Sequence, residues 1–345
     1  MTHMSKDEAR AAKAEVAVLV RELLGRRVGA QAASGAPPGV SLGLAPQPDG
    51  GYAVAVRYRL GVPTARMVAR RVVEHIGPTV DVRRTGRILA IPGVGPRSAG
   101  GRGGIGTGPR PPVITALAAG VTGRVRPLRP GISLAHVDVS AGTLGAFVVV
   151  DGRTHVLSNY HVLVGSPRAA LGDAVVQPGP ADGGRDPEDR VGTLAALVPL
   201  EPEGRAYVDA AVARTEGTEV DATYPIGTVT ATAEAEGTEE VEKIGRTTGT
   251  TRGRVTAIEL DDVVVGYGDA LGELTFDDQI EVEGSAGSAF SRGGDSGSLV
   301  YRTGDGAAIG LLFAGSESGG ENGTGLTYLN PIGRVLDALG ARLLG

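Results

Sequence analysis

The sequence predicts a mainly β protein with an N-terminal helix and a small α+β extension, and three observations support this prediction. From about Val113 onward, short apolar segments recur about every 8–12 residues between turn residues, a pattern typical of antiparallel sandwiches and barrel pairs. Glycine and proline number 56 and 21, which favours many tight turns over a helical bundle. Hydrophobic residues make up 41% of the chain but aromatic residues only 3%, so we expect a core built from Val, Leu, Ile and Ala.

The composition also excludes several classes of function. The 34 basic and 39 acidic side chains leave a net charge of −5, so no basic surface for nucleic acid is expected. Cysteine is absent, which excludes disulfides, thiolate metal sites and a cysteine nucleophile. No stretch approaches the roughly 20 apolar residues that span a membrane, and the N-terminus does not resemble a signal peptide. We therefore expect a soluble, cytoplasmic protein with no nucleic-acid or membrane partner and no cofactor. Only three of the 34 basic residues are lysines, Lys6, Lys13 and Lys243, and we interpret this scarcity as a composition bias without functional meaning.

The first 91 residues predict a helix followed by a small β-β-α-β unit. The helix extends from Lys6 to about Arg27 and is expected to dock its apolar face on a neighbouring domain, with an oligomerisation helix as the alternative. Strand patterns at residues 52–60 and 79–83 enclose a helix from Ala65 to Ile76 that Thr64 would cap. No catalytic pattern occurs here, so we assign residues 1–91 a regulatory or assembly role.

Residues 92–112 consist almost entirely of Gly, Pro, Arg and Ser and are predicted to be an interdomain linker. Within them, Gly104 to Gly108 resembles a phosphate-binding loop, but no strand leads into it and no helix follows it, as such a loop requires. The arginines make the linker an easy target for proteolysis. Residues 113–345 form the predicted β domain, which closes with a helix from Pro331 to about Leu344 capped by Asn330.

Three polar interruptions of apolar segments carry the candidate chemistry. His161 follows an apolar run and a polar Ser-Asn-Tyr step, which predicts an imidazole at a strand end. Asp209 interrupts an apolar strand, and a buried carboxylate needs a partner. Ser296 lies in the run Arg-Gly-Gly-Asp-Ser-Gly-Ser directly before a strand, where backbone amides can converge. Each feature alone has an ordinary structural explanation, but a serine nucleophile needs a base and the base needs an orienting carboxylate.

The segments LSNYHVL, VDAAVA and GGDSGSLV, in this order within an all-β region, resemble the trypsin/chymotrypsin-like serine peptidases. The segments AGTLGAFVV (141–149) and IGRTTGTTRGRV (244–255) are similar to cysteine-free intracellular trypsin-like proteins of bacteria and to their plant relatives of the narrow-leaf type. The resemblance covers about two thirds of the chain. It implies a chymotrypsin-like double β-barrel with the site between the barrels.

The resemblance also implies the roles of individual residues. Ser296 would attack a peptide carbonyl, His161 would take its proton and pass it to the leaving amine, and Asp209 would hold the imidazole. The backbone amides of Gly294 and Ser296 would receive the oxyanion. The function implied is that of a serine endopeptidase.

The implied primary pocket has Phe290 at its floor and Phe313, Ala314 and Gly315 along its wall. None of these residues is acidic, so cleavage after Arg or Lys is disfavoured and a small or apolar side chain is expected.

Asp295 departs from the pattern of the secreted peptidases, in which a newly cut N-terminus pairs with the Asp before the nucleophile. No such N-terminus occurs here. The expected partner is a backbone turn or an arginine, with Arg292 and Arg246 as candidates; otherwise the site is disordered until something binds.

Several alternatives stay open at this point. The peptidase would act on a protein or peptide substrate, and self-processing or regulation by the N-terminal domain is one version of the hypothesis. The other versions are a catalytically latent binding module on the same fold and an esterase that uses the same triad. A homo-oligomer is also open. An acidic loop (Asp182, Asp186, Glu188 and Asp189) lacks the ordered ligand spacing of a calcium site, so no metal is predicted.

Overall fold

The computed structural model describes residues 4–28, 39–48, 50–77, 79–90, 119–202, 204–269, 271–316 and 318–345. The helices, in chain order, are α1 (Lys6–Val28), α2 (Pro63–Ile76), α3 (Tyr160–Leu163) and α4 (Ile332–Leu339). The strands are β1 (Val40–Pro46), β2 (Tyr52–Arg59), β3 (Val80–Thr85), β4 (Ile88–Leu89), β5 (Ser133–His136), β6 (Gly142–Thr143), β7 (Ala146–Val150), β8 (Arg153–Ser158), β9 (Ala174–Val176), β10 (Arg190–Leu197), β11 (Arg205–Ala206), β12 (Ala211–Thr215), β13 (Thr223–Tyr224), β14 (Gly227–Thr228), β15 (Glu240–Gly245), β16 (Gly249–Asp261), β17 (Val263–Gly266), β18 (Glu273–Phe276), β19 (Gln279–Gly284), β20 (Leu299–Arg302), β21 (Ala308–Ser316), β22 (Leu326–Pro331) and β23 (Arg342–Leu343). The predicted linker at 92–112 and the predicted domain boundaries lie outside the described residues and stay predictions. Within the described ranges, no helix combines the length and the apolar character that a membrane crossing needs.

Six strands of the C-terminal half close into an antiparallel barrel. Strand β15 pairs with β16, β16 with β19, β19 with β22, β22 with β21, β21 with β20, and β20 with β15. Alternate side chains of a strand point to opposite faces, so closure buries one face of every strand. That face is aliphatic, with Val241, Val255, Val282, Leu312 and Leu329 in one cluster.

A second sheet stays open, in the order β23-β7-β8-β12-β10-β9-β5-β6, and all of its strands except β23 precede the barrel in the chain. Apolar residues of both sheets, including Val148, Val212 and Leu311, share one cluster with Val335 and Leu339 of α4. The mainly β double-barrel class predicted from the sequence is therefore confirmed, with one barrel closed and the other open.

The N-terminal unit has the predicted β-β-α-β order, and its sheet continues into the closed barrel. Strand β1 pairs with β2 and also with β16, where Leu42 faces Asp261 and Leu44 faces Ile258. Helix α1 packs beside them with Val16 and Val20 buried. The strand that follows β3 also joins the barrel, because β4 pairs with β21, and on its other side β4 pairs with β17.

A buried ion pair crosses the same junction. The Arg57 guanidinium of β2 donates to Glu281 of β19 at 2.8 Å, and their side chains are 1% and 0% exposed. Thr256 Oγ1 also donates to Glu281 at 2.8 Å. Separating the N-terminal unit from the barrel would leave this carboxylate without its cation, so the unit is a packed part of the protein.

Several predicted local features were wrong. Helix α2 begins at Pro63 with Val62 as its N-cap and no side-chain cap, so Thr64 does not cap it. Proline suits the first helical position because its missing N–H has no partner there. Helix α4 ends at Leu339 because Gly340 adopts a left-handed conformation with φ of 57°, and the chain then pairs as β23 with β7. Asn330 lies one residue before the N-cap Pro331 and belongs to the site described next.

Candidate active site

The site is built around a buried imidazole–carboxylate pair. His161 lies in the one-turn helix α3 rather than at a strand end, and Asp209 lies two residues before β12 rather than within a strand. Strand β12 pairs with β8, Ala211 opposite Ser158, and this register brings the two side chains together. His161 Nδ1 is 2.6 Å from Asp209 Oδ2, and the main-chain amide of His161 donates to Oδ1 at 3.3 Å.

The pair determines which nitrogen of the ring is free. A carboxylate only accepts hydrogen bonds, so the His161 proton lies on Nδ1 and Nε2 carries the lone pair of the neutral ring. Nε2 is buried and has no hydrogen-bond partner among the described residues. The ring therefore offers a base with a fixed tautomer.

Two buried asparagines hold the main chain of Asp209. Asn159 Nδ2 donates to the Asp209 carbonyl at 2.8 Å, and the Asp209 amide donates to Asn330 Oδ1 at 2.9 Å. Asn330 Nδ2 in turn donates to Gln279 Oε1 at 2.7 Å. Asn330 was interpreted as a helix cap from the sequence, so its contact with Asp209 was missed. Its position at the end of an apolar strand was the available signal.

Tyr267 is a further contact that the sequence did not reveal. Its hydroxyl donates to Asp209 Oδ2 at 2.6 Å, and its ring meets the His161 ring edge-on at 5.9 Å between centroids. Burial is the largest cause that raises the pKa of Tyr267 well above its usual value, and the charge of the Asp209 carboxylate is the second. Nothing in the local pattern of residues 263–270 distinguishes this tyrosine from an ordinary core residue.

The segment that carries Ser296 is fastened to the open sheet beside His161. The Thr143 amide donates to the Ser296 carbonyl at 2.8 Å, and Thr143 Oγ1 donates to the Gly294 carbonyl at 2.8 Å. A Cβ on Gly297 would lie 2.1 Å from Ser158 Oγ, at the end of the strand that leads into α3. The structure therefore brings the segment of Ser296 against the elements that position His161.

The two predicted oxyanion amides lie in successive turns, 292–295 and 295–298, on either side of Asp295. Gly294 has φ of +95°, a conformation that glycine adopts without strain. Neither its amide nor that of Ser296 donates to any acceptor in the described part of the chain. Both amides are therefore available to an acceptor from outside these residues, as donors to an oxyanion must be.

Asp295 is fully buried and its partners are internal. Its carboxylate accepts from the Thr247 and Thr248 amides at 2.9 and 3.0 Å, and from the Arg292 amide at 2.9 Å. Lys243 Nζ lies 3.3 Å from Oδ2 and also donates to Thr248 Oγ1. The expected backbone turn is therefore present.

Neither arginine side chain is the partner of Asp295. Arg292 contributes only its amide, and the Arg246 guanidinium pairs with Asp182, donating from Nε at 2.8 Å. The cation is Lys243, which was not among the partners expected from the sequence. The alternation along β15 was the available signal, because Lys243 lies on the same face as the buried Val241.

Three of the four predicted pocket residues are buried. Phe290 lies in the core cluster of the closed barrel and is 1% exposed. Phe313 contacts Phe276 at 4.8 Å between ring centroids, and Ala314 is also buried. Gly315 is half-buried and pairs with Leu89 of β4. The N-terminal unit thus covers part of the strand that was assigned to the pocket wall.

The acidic loop makes ion pairs within the chain. Asp182 binds Arg246, and Asp186 binds Arg190 at 2.6 Å. In the described ranges no group of three or more His, Asp or Glu side chains could hold a metal ion.

With the double barrel and the imidazole–carboxylate pair described, the chain can be compared with known proteins. No protein-family model and no curated protein matches it. Among solved structures, Thermobifida fusca protease A is 21% identical with a TM-score of 0.44, covering 63% of this chain and 99% of its own. Cellulomonas bogoriensis chymotrypsin is 22% identical with a TM-score of 0.43, over 63% and 99%. A Nocardiopsis protease is 19% identical with a TM-score of 0.45, over 63% and 100%. The function proposed below rests on the residues of this chain.

Proposed function

We propose that the chain is a serine endopeptidase in which Ser296 is the nucleophile, His161 the general base and Asp209 the orienting carboxylate. The observation that carries the proposal is the free Nε2 of His161, on a ring held through Nδ1 by Asp209 at 2.6 Å. The Thr143 amide of β6 donates to the Ser296 carbonyl, and Gly297 lies close to Ser158 at the end of β8, the strand that leads into α3. A hydroxyl nucleophile needs a base held in this way.

The proposed reaction gives each of these groups one role. Ser296 Oγ attacks the peptide carbonyl while its proton moves to His161 Nε2, and Asp209 stabilises the resulting imidazolium. The amides of Gly294 and Ser296 receive the oxyanion, each contributing about 2.7–4 kcal/mol to the barrier reduction. The imidazolium then protonates the leaving amine. Water, activated by the same nitrogen, hydrolyses the acyl-enzyme.

The proposal also includes a role for the N-terminal unit. Strand β4 occupies the edge of β21 at Gly315 and Ser316. A peptide commonly binds an enzyme or a domain by adding a strand to such an edge, so β4 would compete with a substrate for it. Regulation of access by residues 1–91, with or without self-cleavage in the linker, is the version of the function that this contact favours. A small or apolar residue at the cleavage site and a cytoplasmic location are kept as predictions.

The test is labelling of the purified protein with a fluorophosphonate probe, read by intact mass. Wild type should gain one probe, whereas Ser296→Ala and His161→Ala should gain none, because triad members typically contribute about 10⁴–10⁶ to the rate. His136→Ala is the matched control, since His136 is also a buried histidine with a carboxylate, Asp173, at 3.2 Å. It should label like wild type.

Other outcomes would replace the proposal. Absence of labelling in wild type would favour a latent binding module on this fold. Labelling together with turnover of esters but not of peptides would favour an esterase. Prolonged incubation tests self-processing, which an intact chain during peptide turnover would contradict.

A further inference from the structure

Tyr267, which follows β17, donates a hydrogen bond to the Asp209 carboxylate from outside α3, the helix that carries His161. The carboxylate accepts three hydrogen bonds from described residues, two from His161 and one from the Tyr267 hydroxyl. The hydroxyl and His161 Nδ1 both lie 2.6 Å from the same oxygen, Oδ2. Asp209 Oδ2 is therefore shared between the imidazole and the phenol.

The phenol is anchored independently of His161. Tyr267 directly follows β17, and its amide donates to the Gly272 carbonyl at 2.8 Å in the turn before β18. Its ring stacks on Phe276 at 5.8 Å with an interplanar angle of 18°. Phe276 in turn contacts Phe313 on β21. The position of the hydroxyl is thus determined by the closed-barrel side of the molecule, whereas His161 and Asp209 belong to the open sheet.

We propose that Tyr267 is a positioning residue of the active site, and that its hydroxyl holds the Asp209 carboxylate in the orientation in which it binds the His161 ring. This inference rests on the proposed peptidase function. Toward a carboxylate the hydroxyl can only donate, so its hydrogen bond stabilises the negative charge on Oδ2. Without it, Asp209 would rotate more freely, and the imidazolium would become the principal partner of its charge.

The two tyrosines that face Asp209 do not change charge in the pH range of the experiment. Asp209 is faced by His161, Tyr267 and Tyr160. Burial, and next Asp209, raise the pKa of Tyr160, as they do that of Tyr267. Both phenols therefore stay protonated between about pH 5 and pH 9, and the acidic limb of the rate profile reports the imidazole–carboxylate pair.

The experiment compares Tyr267→Phe with wild type. Phenylalanine keeps the ring that stacks on Phe276, so the variant should fold, and thermal unfolding checks this. We expect kcat for a peptide to fall about tenfold to 100-fold with KM little changed, the range of a hydrogen bond to a charged group. The acidic limb of kcat/KM should move to higher pH, because the imidazolium becomes the main partner of the carboxylate. Tyr301→Phe is the matched control, since the buried Tyr301 hydroxyl donates to Glu242 at 2.8 Å and has no contact with Asp209; it should change neither kcat nor the limb.

A second readout needs no turnover. The His161 proton between Nδ1 and Oδ2 should move in the ¹H spectrum of Tyr267→Phe by more than the ring resonances of His136 and His155 move, and should not move in Tyr301→Phe. If this resonance and the limb stay in place in a folded Tyr267→Phe variant, the positioning role is overturned even when wild type is active. If the resonance moves but wild type neither labels nor cleaves, the Tyr267 arrangement stands and the peptidase proposal fails.

Discussion

Lys243 Nζ lies 3.3 Å from Asp295 Oδ2, and both side chains are fully buried. Asp295 directly precedes the proposed nucleophile, so the ion pair connects β15 to the segment that carries Ser296 and its amides. Burial lowers the pKa of Lys243, and the charge of Asp295 opposes this effect. The pair supplies from within the chain the cation that Asp295 needs.

Replacing Lys243 by Met should therefore disturb both stability and the site. Removing one partner of a buried ion pair lowers the free energy of unfolding by about 3–5 kcal/mol, because the other charge stays buried without its counter-ion. We expect this loss in urea unfolding, together with loss of fluorophosphonate labelling. Lys13→Met is the control, since Lys13 pairs with Asp261 near the surface and should cost about 1 kcal/mol or less. A Lys243→Met protein that labels at the wild-type rate would contradict the assignment.

Asn330 is expected to matter through the Asp209 main chain. In Asn330→Ala the Asp209 amide loses its acceptor, and a buried unsatisfied donor costs about 1–3 kcal/mol. Labelling should slow about tenfold as the carboxylate loses its fixed position. Asn322→Ala removes an amide that donates to the Gly284 carbonyl at 2.9 Å, far along the chain from Asp209. Equal effects of the two variants on labelling would argue against a specific role for Asn330.

Strand β4 provides a test of the regulatory role. Ala90 donates its amide to Gly266 of β17 at 3.1 Å. Successive amides of a strand point to opposite neighbours, so the Leu89 amide faces β21. Leu89→Pro removes this amide and should raise kcat/KM for a peptide by up to about tenfold, the value of one hydrogen bond.

The rate of probe labelling distinguishes access from chemistry in that experiment. A small probe does not need the β21 edge, so its rate should stay constant in Leu89→Pro. Arg87→Pro introduces the same residue just outside the paired positions and should change neither rate. Unchanged peptide turnover in Leu89→Pro would show that β4 does not compete with the substrate.

The attachment of helix α1 to the barrel should weaken in acid. Glu259 of β16 binds Arg10 at 2.7 Å, with Lys6 nearby. Burial alone would raise the pKa of Glu259, but Arg10 and the lysines outweigh burial and lower it from 4.5. A lowered pKa means that the stabilisation is present above the unfolded-state value of 4.5 and is lost as the pH falls through the folded-state value. The free energy of unfolding of wild type, measured by thermal unfolding at pH 7, should therefore exceed that of Glu259→Gln by about 1 kcal/mol. The difference should shrink toward zero as the pH falls through the folded-state pKa of Glu259, and a difference that stays constant down to the onset of acid unfolding would show that Glu259 acts through another contact.

Local patterns were sufficient for the elements and for the polar residues that interrupt them. Alternation and turn residues predicted the β domain, and the interruptions singled out His161, Asp209 and Ser296. Helix ends were less predictable, because Pro63 and Gly340 set them through backbone conformation while the sequence offered Thr64 and Asn330 as caps.

The partners of these residues depended on contacts that are distant along the chain. Tyr267 lies 58 residues from Asp209 and reaches it only after the hairpin β17–β18 packs beside the open sheet. Lys243 carries an ordinary charge in the sequence and becomes a buried cation only when the barrel closes around Asp295.

The fold class, the order of the elements and the residues with reactive side chains could be predicted without coordinates, because periodicity and residue chemistry are local properties. Folding of the chain was needed to establish which groups share a hydrogen bond, which carboxylate is buried beside which cation, and which strand covers the edge of β21. Those outcomes depend on sheet register and barrel closure, which bring distant residues within hydrogen-bond distance and remove water from between them.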